Sequence, residues 1–432
     1  MFLILAGGAS TVVIGRWMFG KWFNHVSLYG GIWSASLALF ELKLINYYPL
    51  EPETWIVIIG AWLAFVFGSL MVVLARFALG SPLAAPLTGL SMETTGLEQR
   101  SMRTILWVLN VVSLFAALQH WYIVVKKFGS VENVVVFGNL VYSLRVAGEF
   151  PGMLPYFDSL ALSASFLAGV YTASRKKIEL VAMLPLAIIV ILEIANMARS
   201  KIVMAAVLFI AGLFLNPRRS APRVSRSPSW GFRGATGIIV SIALLIAGLE
   251  FIRGTRGSIE SIPAATRSLE KLRGSSFITP SIYMYVTIPH GVLNQYLKQD
   301  IEHTSIGSNM LAPVYRLLSK LGFDTPVRTY QKFYNTPAAA NTGSYLRELH
   351  ADFGLAGVLV LPFAFGAAVT AIWYRTRMKG SYTRVVILGH MYLIVAMSLF
   401  VIATRGGDLL VSFVGSIIAA RVLDNKQSRD QT

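Results

Sequence analysis

The chain has 432 residues, of which 55% are hydrophobic and 14% charged, with a formal net charge of +17 and no cysteine. Soluble domains run near a quarter charged, so this composition excludes one and points to a chain solvated by lipid. The missing cysteine excludes disulfides, thiol nucleophiles and cysteine-ligated metal. The cationic excess is the ordinary mark of loops facing anionic lipid, and by itself implies no nucleic acid.

Apolar runs of roughly the length that crosses a hydrocarbon core of about 30 Å fall near 2–15, 28–45, 55–79, 104–125, 154–173, 178–195, 201–215, 236–252, 353–374, 384–403 and 406–422. They predict an all-α polytopic membrane protein with about eleven transmembrane helices. The opening MFLILAGGASTVVIG carries no cation ahead of its apolar run, so it reads as a short first span and not a secretory leader. Segment 131–149 (VENVVVFGNLVYSLRVAGE) reads as a helix lying on the membrane surface. Segments 178–195 and 201–215, separated by NMARS, read as a tight helical hairpin.

Orientation follows from the loops. RWMFGKW, the 80–103 loop, Arg175 to Lys177, the basic 216–233 stretch and YRTRMKGSYTR at 374–384 lie on one side. The 46–54 loop on the other side has no Lys or Arg and carries Glu51 and Glu53. Cationic loops stay cytoplasmic, which puts the C-terminus inside and the N-terminus in the periplasm of a bacterial inner membrane. Three regions result: spans one to eight over 1–252, a periplasmic loop with short helices over 253–349, and the last three spans with a tail over 350–432. The loop holds eleven Lys and Arg against six acids. Long loops escape the orientation rule, and a cationic one outside suggests an anionic ligand such as a diphosphate.

Ionisable groups at span ends are costly and therefore informative. Four places stand out: Glu193 with Arg199, Arg253 with Arg256, Asp352, and Arg405 with Asp408. The topology sends all four to the outer face. Arg253 and Arg405 are each followed by glycine, which permits close backbone approach, and the guanidinium fork suits a diphosphate. Snorkelling to headgroups, or pairing with Glu193, Glu250 and Asp408, is the alternative for any one of them. His290, His303 and His350 lie on the outer side without the spacing of a metal site.

The stretch NTGSYLRELHADFGLAGVLVLPFAFGAAVTAIWYR (341–375) resembles the Wzy-type oligosaccharide repeat-unit polymerases, which make O-antigen and exopolysaccharide. The likeness rests on Asn341, Tyr345, Asp352-Phe353-Gly354 and Gly357 after one long outer loop. Ala198-Arg199-Ser200, the Arg253-Gly254 helix exit and Arg145 in an outer amphipathic segment look similar too. The resemblance implies a GT-C-like fold and a metal-independent glycosyltransferase without cofactor. It also implies undecaprenyl-diphosphate oligosaccharide as substrate, with a chain-length regulator and a flippase as partners. On that reading Arg253 and Arg405 stabilise the leaving diphosphate, and His290, His350 or Asp352 accepts the acceptor's proton. Arg145, Arg199, Arg256, Asn341, Tyr345 and Arg347 bind substrate. Asp352 as a cap on the ninth span is the competing assignment. An O-antigen ligase, and a flippase or transporter of the same lipid-linked sugar, remain alternative functions.

Overall fold

A computed structural model describes residues 1–80, 96–147, 149–150, 154, 156–175, 179–215, 248, 251–252, 254, 266, 269, 280–299, 301–325, 331–378 and 381–429. Helices dominate them. In chain order they are α1 (Phe2–Phe19), α2 (His25–Glu41), α3 (Pro52–Ala78), α4 (Gly96–Phe128), α5 (Val131–Val136), α6 (Gly138–Val146), α7 (Leu160–Arg175), α8 (Leu180–Asn196) and α9 (Ser200–Leu215). Then come α10 (Pro280–Gln299), α11 (Ala312–Lys320), α12 (Ser344–Met378), α13 (Tyr382–Met397) and α14 (Gly407–Arg429). Strands β1 (Tyr334–Thr336) and β2 (Ala338–Ala340) pair antiparallel, Tyr334 opposite Ala340.

Among the described residues, four helices are long and apolar enough to cross a membrane: Phe2–Phe19, Pro52–Ala78, Glu98–Phe128 and Ser344–Arg377. Shorter apolar helices occupy Leu180–Asn196, Ser200–Leu215 and Tyr382–Met397. Large apolar side chains on the long helices stand exposed, among them Phe67 and Phe115, a cost in water that lipid removes. The protein is an all-α membrane protein, with one small hairpin among the described residues.

Boundaries differ from the sequence expectation where local chemistry intervenes. Asn24 accepts from the Ser27 amide at 2.8 Å and starts α2 at residue 25, ahead of the apolar run. That helix ends before residue 45, as Lys43 turns to φ 51. The 131–149 helix is two, α5 and α6, broken at Phe137. Residues 156–159 do not join the fifth span; a 3-10 turn at Phe157–Ser159 precedes α7. The predicted 236–252 span lies outside the described residues except for 248 and 251–252. The 353–374 span begins earlier, because α12 already runs from Ser344 and passes through a break at Gly354 (φ 64, ψ −160), a conformation that glycine alone adopts cheaply.

The chain divides into two compact units. Unit one comprises Met1–Ala85, Ile259–Tyr374 and Ile394–Gly406. In it α2 lies between α1 and α10: a hydrogen bond of 2.7 Å joins Ser36 Oγ to His290 Nε2. The Tyr29 ring stacks on Phe65 of α3 with centroids 4.5 Å apart. Where α3 meets α12, a Cβ on Gly366 would lie 2.2 Å from the Phe65 carbonyl oxygen.

Unit two comprises Pro86–Ser258, Arg375–Leu393 and Gly407–Thr432. Its centre is α7, buried from Ala161 to Ala173 and flanked by α4, α8, α9 and α14. Gly169 and Gly212 bring α7 and α9 together backbone to backbone. A Cβ on Gly169 would sit 2.1 Å from the Phe209 oxygen, and one on Gly212 would sit 2.3 Å from the Phe166 oxygen. Small residues drive such close crossings in lipid, where apolar burial gives no advantage over the acyl chains. Gly169→Val is therefore expected to force α7 and α9 apart at a cost of about 1–3 kcal/mol or more, read as a lowered melting temperature in detergent. Asp424 caps α13 from α14, accepting from the Tyr382 amide at 2.8 Å and the Thr383 amide at 3.1 Å.

Candidate functional site

The first turns of α12 gather most of the chemistry of unit one. A helix places residues four apart on the same side: Asp352 meets the 304–310 loop and Glu348 the turn that carries Arg405. Glu348 Oε1 accepts from Gln331 Nε2 at 2.6 Å and from Arg405 Nη1 at 3.0 Å. Its Oε2 accepts the Ile402 amide. Asn309 Oδ1 in turn accepts from Arg405 at 3.2 Å and from Gln331 at 3.2 Å. Arg405, Glu348, Gln331 and Asn309 thus form a closed ring of hydrogen bonds around one buried ion pair.

Asp352 anchors that ring from beneath. It accepts from Thr304 Oγ1 at 2.6 Å, from the Asn309 amide at 3.0 Å, from Asn309 Nδ2 at 2.8 Å and from the Met310 amide at 3.0 Å. These donors belong to the 304–310 loop. Asp352 therefore caps that loop, which is a different assignment from capping its own helix, and its oxygens are already engaged.

Arg347 points to another set of groups. Its Nη1 donates to the Asn341 carbonyl at 2.9 Å, and its Nη2 to the Lys332 carbonyl at 3.1 Å and to Glu302 at 3.4 Å. The guanidinium lies 4.9 Å from the Tyr334 ring centroid and is 1% exposed. It stitches the β1–β2 hairpin to α12. Asn341 contributes its backbone to the same stitch.

The remaining outer-side candidates are distributed as follows. Tyr345 bonds Tyr29 through their hydroxyls at 2.8 Å. His350 Nδ1 lies 2.9 Å from Tyr296 Oη and the residue is partly exposed. His290 is fully enclosed by Ser36, Trp33 and Phe40. Burial pushes its imidazole down to about 3, from an ordinary value of 6.5. A folded pKa below the unfolded one means the unfolded chain binds the extra proton first. Stability is therefore expected to fall as pH drops from 6.5 towards 3, and His290→Gln should flatten that slope in melts across pH.

No family model, no curated protein and no solved structure matches the chain. The residues themselves carry whatever functional argument there is.

Arg145 and Arg199 belong to unit two, and Arg253 and Arg256 lie outside the described residues. Unit two holds its own buried charge cluster. Lys201, at the start of α9, pairs with Asp158 and, at 3.0 Å, with Asp408. Ser159 Oγ donates to Asp408. Glu193 accepts the Lys201 amide at 3.3 Å through Oε2, while its buried Oε1 has no hydrogen-bond partner among the described residues. The Arg145 guanidinium lies 5.4 Å from the Tyr142 ring centroid and contributes positive potential at Glu193 and Asp408.

Five of these groups escaped the sequence reading: Glu348, Asn309, Gln331, Lys201 and Asp158. A signal existed for one of them. Lys201 is the second residue of an otherwise apolar helix, SKIVMAAVLFIAGLFL, a position where a cation needs a partner.

Proposed function

We propose that the chain polymerises undecaprenyl-diphosphate-linked oligosaccharide repeat units at the periplasmic face of a bacterial inner membrane. About eleven spans in a GT-C-like arrangement, with the N-terminus outside and the C-terminus inside, belong to the same reading. The observation that supports it most is the guanidinium of Arg405, fixed by Glu348 and Asn309 beside two glycines, against the stretch that resembles the polymerases.

The chemistry such a site would perform is a substitution at the anomeric carbon. A hydroxyl of the incoming lipid-linked unit attacks that carbon of the growing chain, forming the new glycosidic C–O bond. The bond to the lipid diphosphate breaks, and the diphosphate leaves with the electron pair. Arg405 offsets the developing charge. The hydroxyl's proton goes to a base. His290 is enclosed and its imidazole is a poor acceptor, and Asp352 is saturated by the 304–310 loop. His350, partly exposed and oriented by Tyr296, is the candidate that keeps access.

The test is a deletion strain examined for its glycans. Single-repeat product on the cell surface is the expected phenotype. Long chains retained on the carrier lipid would instead identify a ligase, and loss of all outward-facing lipid-linked units would identify a flippase. Purified protein given the lipid-linked unit alone should make a ladder of products.

A further inference from the structure

Helix α11 is amphipathic, and its apolar side stands exposed as well as its polar one. At 3.6 residues per turn, Leu311, Val314, Leu317, Leu318 and Leu321 fall on one arc of about 120°. Leu317 is 60% and Leu321 67% exposed, and Ile306 before the helix is 75% exposed. Arg316, Ser319 and Lys320 fall on the opposite arc. An outer loop bathed in water gives such a face nothing to bury against.

The position of the helix says what covers it. Its leading loop is bound to Asp352 through the Asn309 and Met310 amides, and Gly307 lies against the Phe353 ring. Asp352 and Phe353 mark the place where α12 changes from its polar first turns (RELHAD) to the apolar run that ends at Tyr374. Along a membrane-crossing helix that change of polarity marks the level of the headgroups. Leu355 and Leu359, on the next turns of α12, are exposed as well. The apolar arc of α11 is therefore held at the depth where the lipid-facing surface of α12 begins. Arg316 and Lys320 flank it with the charge that anionic headgroups attract.

We propose that α11 is an interfacial helix, its Leu311–Leu321 face embedded among the acyl chains of the adjoining leaflet and its cations at the headgroup phosphates. The helix also packs on the Ala403–Arg405 turn, so the bilayer surface comes up to the polar ring itself. This inference rests on the membrane class alone and stands or falls apart from the polymerase reading.

The natural absence of cysteine makes the test direct. Leu317→Cys and Ser319→Cys, both at exposed positions, each carry one environment-sensitive fluorophore. The labelled full chain is reconstituted in vesicles of phosphatidylglycerol and phosphatidylethanolamine containing nitroxide-labelled acyl chains. The expected result is quenching by the nitroxide several-fold stronger at position 317 than at 319, with aqueous iodide giving the reverse order. Equal iodide quenching at both positions would place the face in water and overturn the proposal. Emission at 317 that ignores the nitroxide but changes with protein-to-lipid ratio would assign the face to a second copy, and overturn it as well.

Discussion

Arg405→Gln combined with Glu348→Gln is expected to lower the rate of polymer formation by about two to three orders of magnitude, the usual loss when a preorganised donor to a developing negative charge is removed. The double change is chosen because the pair is buried. Glu348 is 3% exposed on its side chain and Arg405 11%. Removing only the arginine would leave a carboxylate without its counter-charge, at about 3–5 kcal/mol, and lost folding would then imitate lost chemistry. Two glutamines remove both charges; the amide at position 348 keeps one oxygen to accept the Ile402 N–H, while its nitrogen replaces the oxygen that faced Gln331. Turnover of lipid-linked units by the purified double variant is the measurement, with its melting temperature alongside. A variant that folds normally and still builds chains at the parental rate would remove Arg405 from the mechanism. Arg405→Lys refines the outcome: it keeps the charge and loses the planar fork, so recovery with Lys would mean that charge suffices and paired geometry does not matter.

The spans were legible because lipid imposes one rule on every residue. A stretch such as WIVIIGAWLAFVFGSLMVV has no solution other than a helix in hydrocarbon, and α3 follows it over Pro52–Ala78. Sites obey no such rule. Asp352 was visible as a charge at the head of a span, but its partners come from Thr304, Asn309 and Met310, 48 to 42 positions earlier. Asn309 and Gln331 carry no charge and sit in a loop without periodicity, so nothing local distinguishes them from solvated polar residues. Arg347 illustrates the opposite case. It was prominent in sequence as a cation of the outer loop, yet burial turns it into a stitch between α12 and the hairpin. That hairpin is itself hard to foresee, since three alanines form its second strand and alanine has little strand preference.

Lys201→Met is expected to destabilise unit two by about 3–5 kcal/mol, the cost of leaving buried charge without its partner. In unit two the Lys201 side chain is 11% exposed and that of Asp158 8%, while Asp408 retains 34%. Methionine matches the stem of lysine in shape, so the packing of α9 against α7 is preserved and the charge is what changes. Two carboxylates would then face one another with Glu193 close by and no ammonium among them. The expected readout is a large drop in melting temperature and in membrane-inserted yield. Adding Asp158→Asn and Asp408→Asn to Lys201→Met should restore most of the loss, because a neutral cluster no longer needs the cation; replacing a buried ion network by uncharged groups is often nearly neutral. A double-mutant cycle between Lys201 and Asp158 supplies the number, with coupling of about 0.5–3 kcal/mol expected for residues in one network. If Lys201→Met melts with the parent protein, the ammonium is not what holds Asp158 and Asp408 in place. The asymmetry of exposure adds one further step. Asp408 can recover solvation when Lys201 is gone and Asp158 cannot, so Asp158→Asn alone should rescue more of the loss than Asp408→Asn alone.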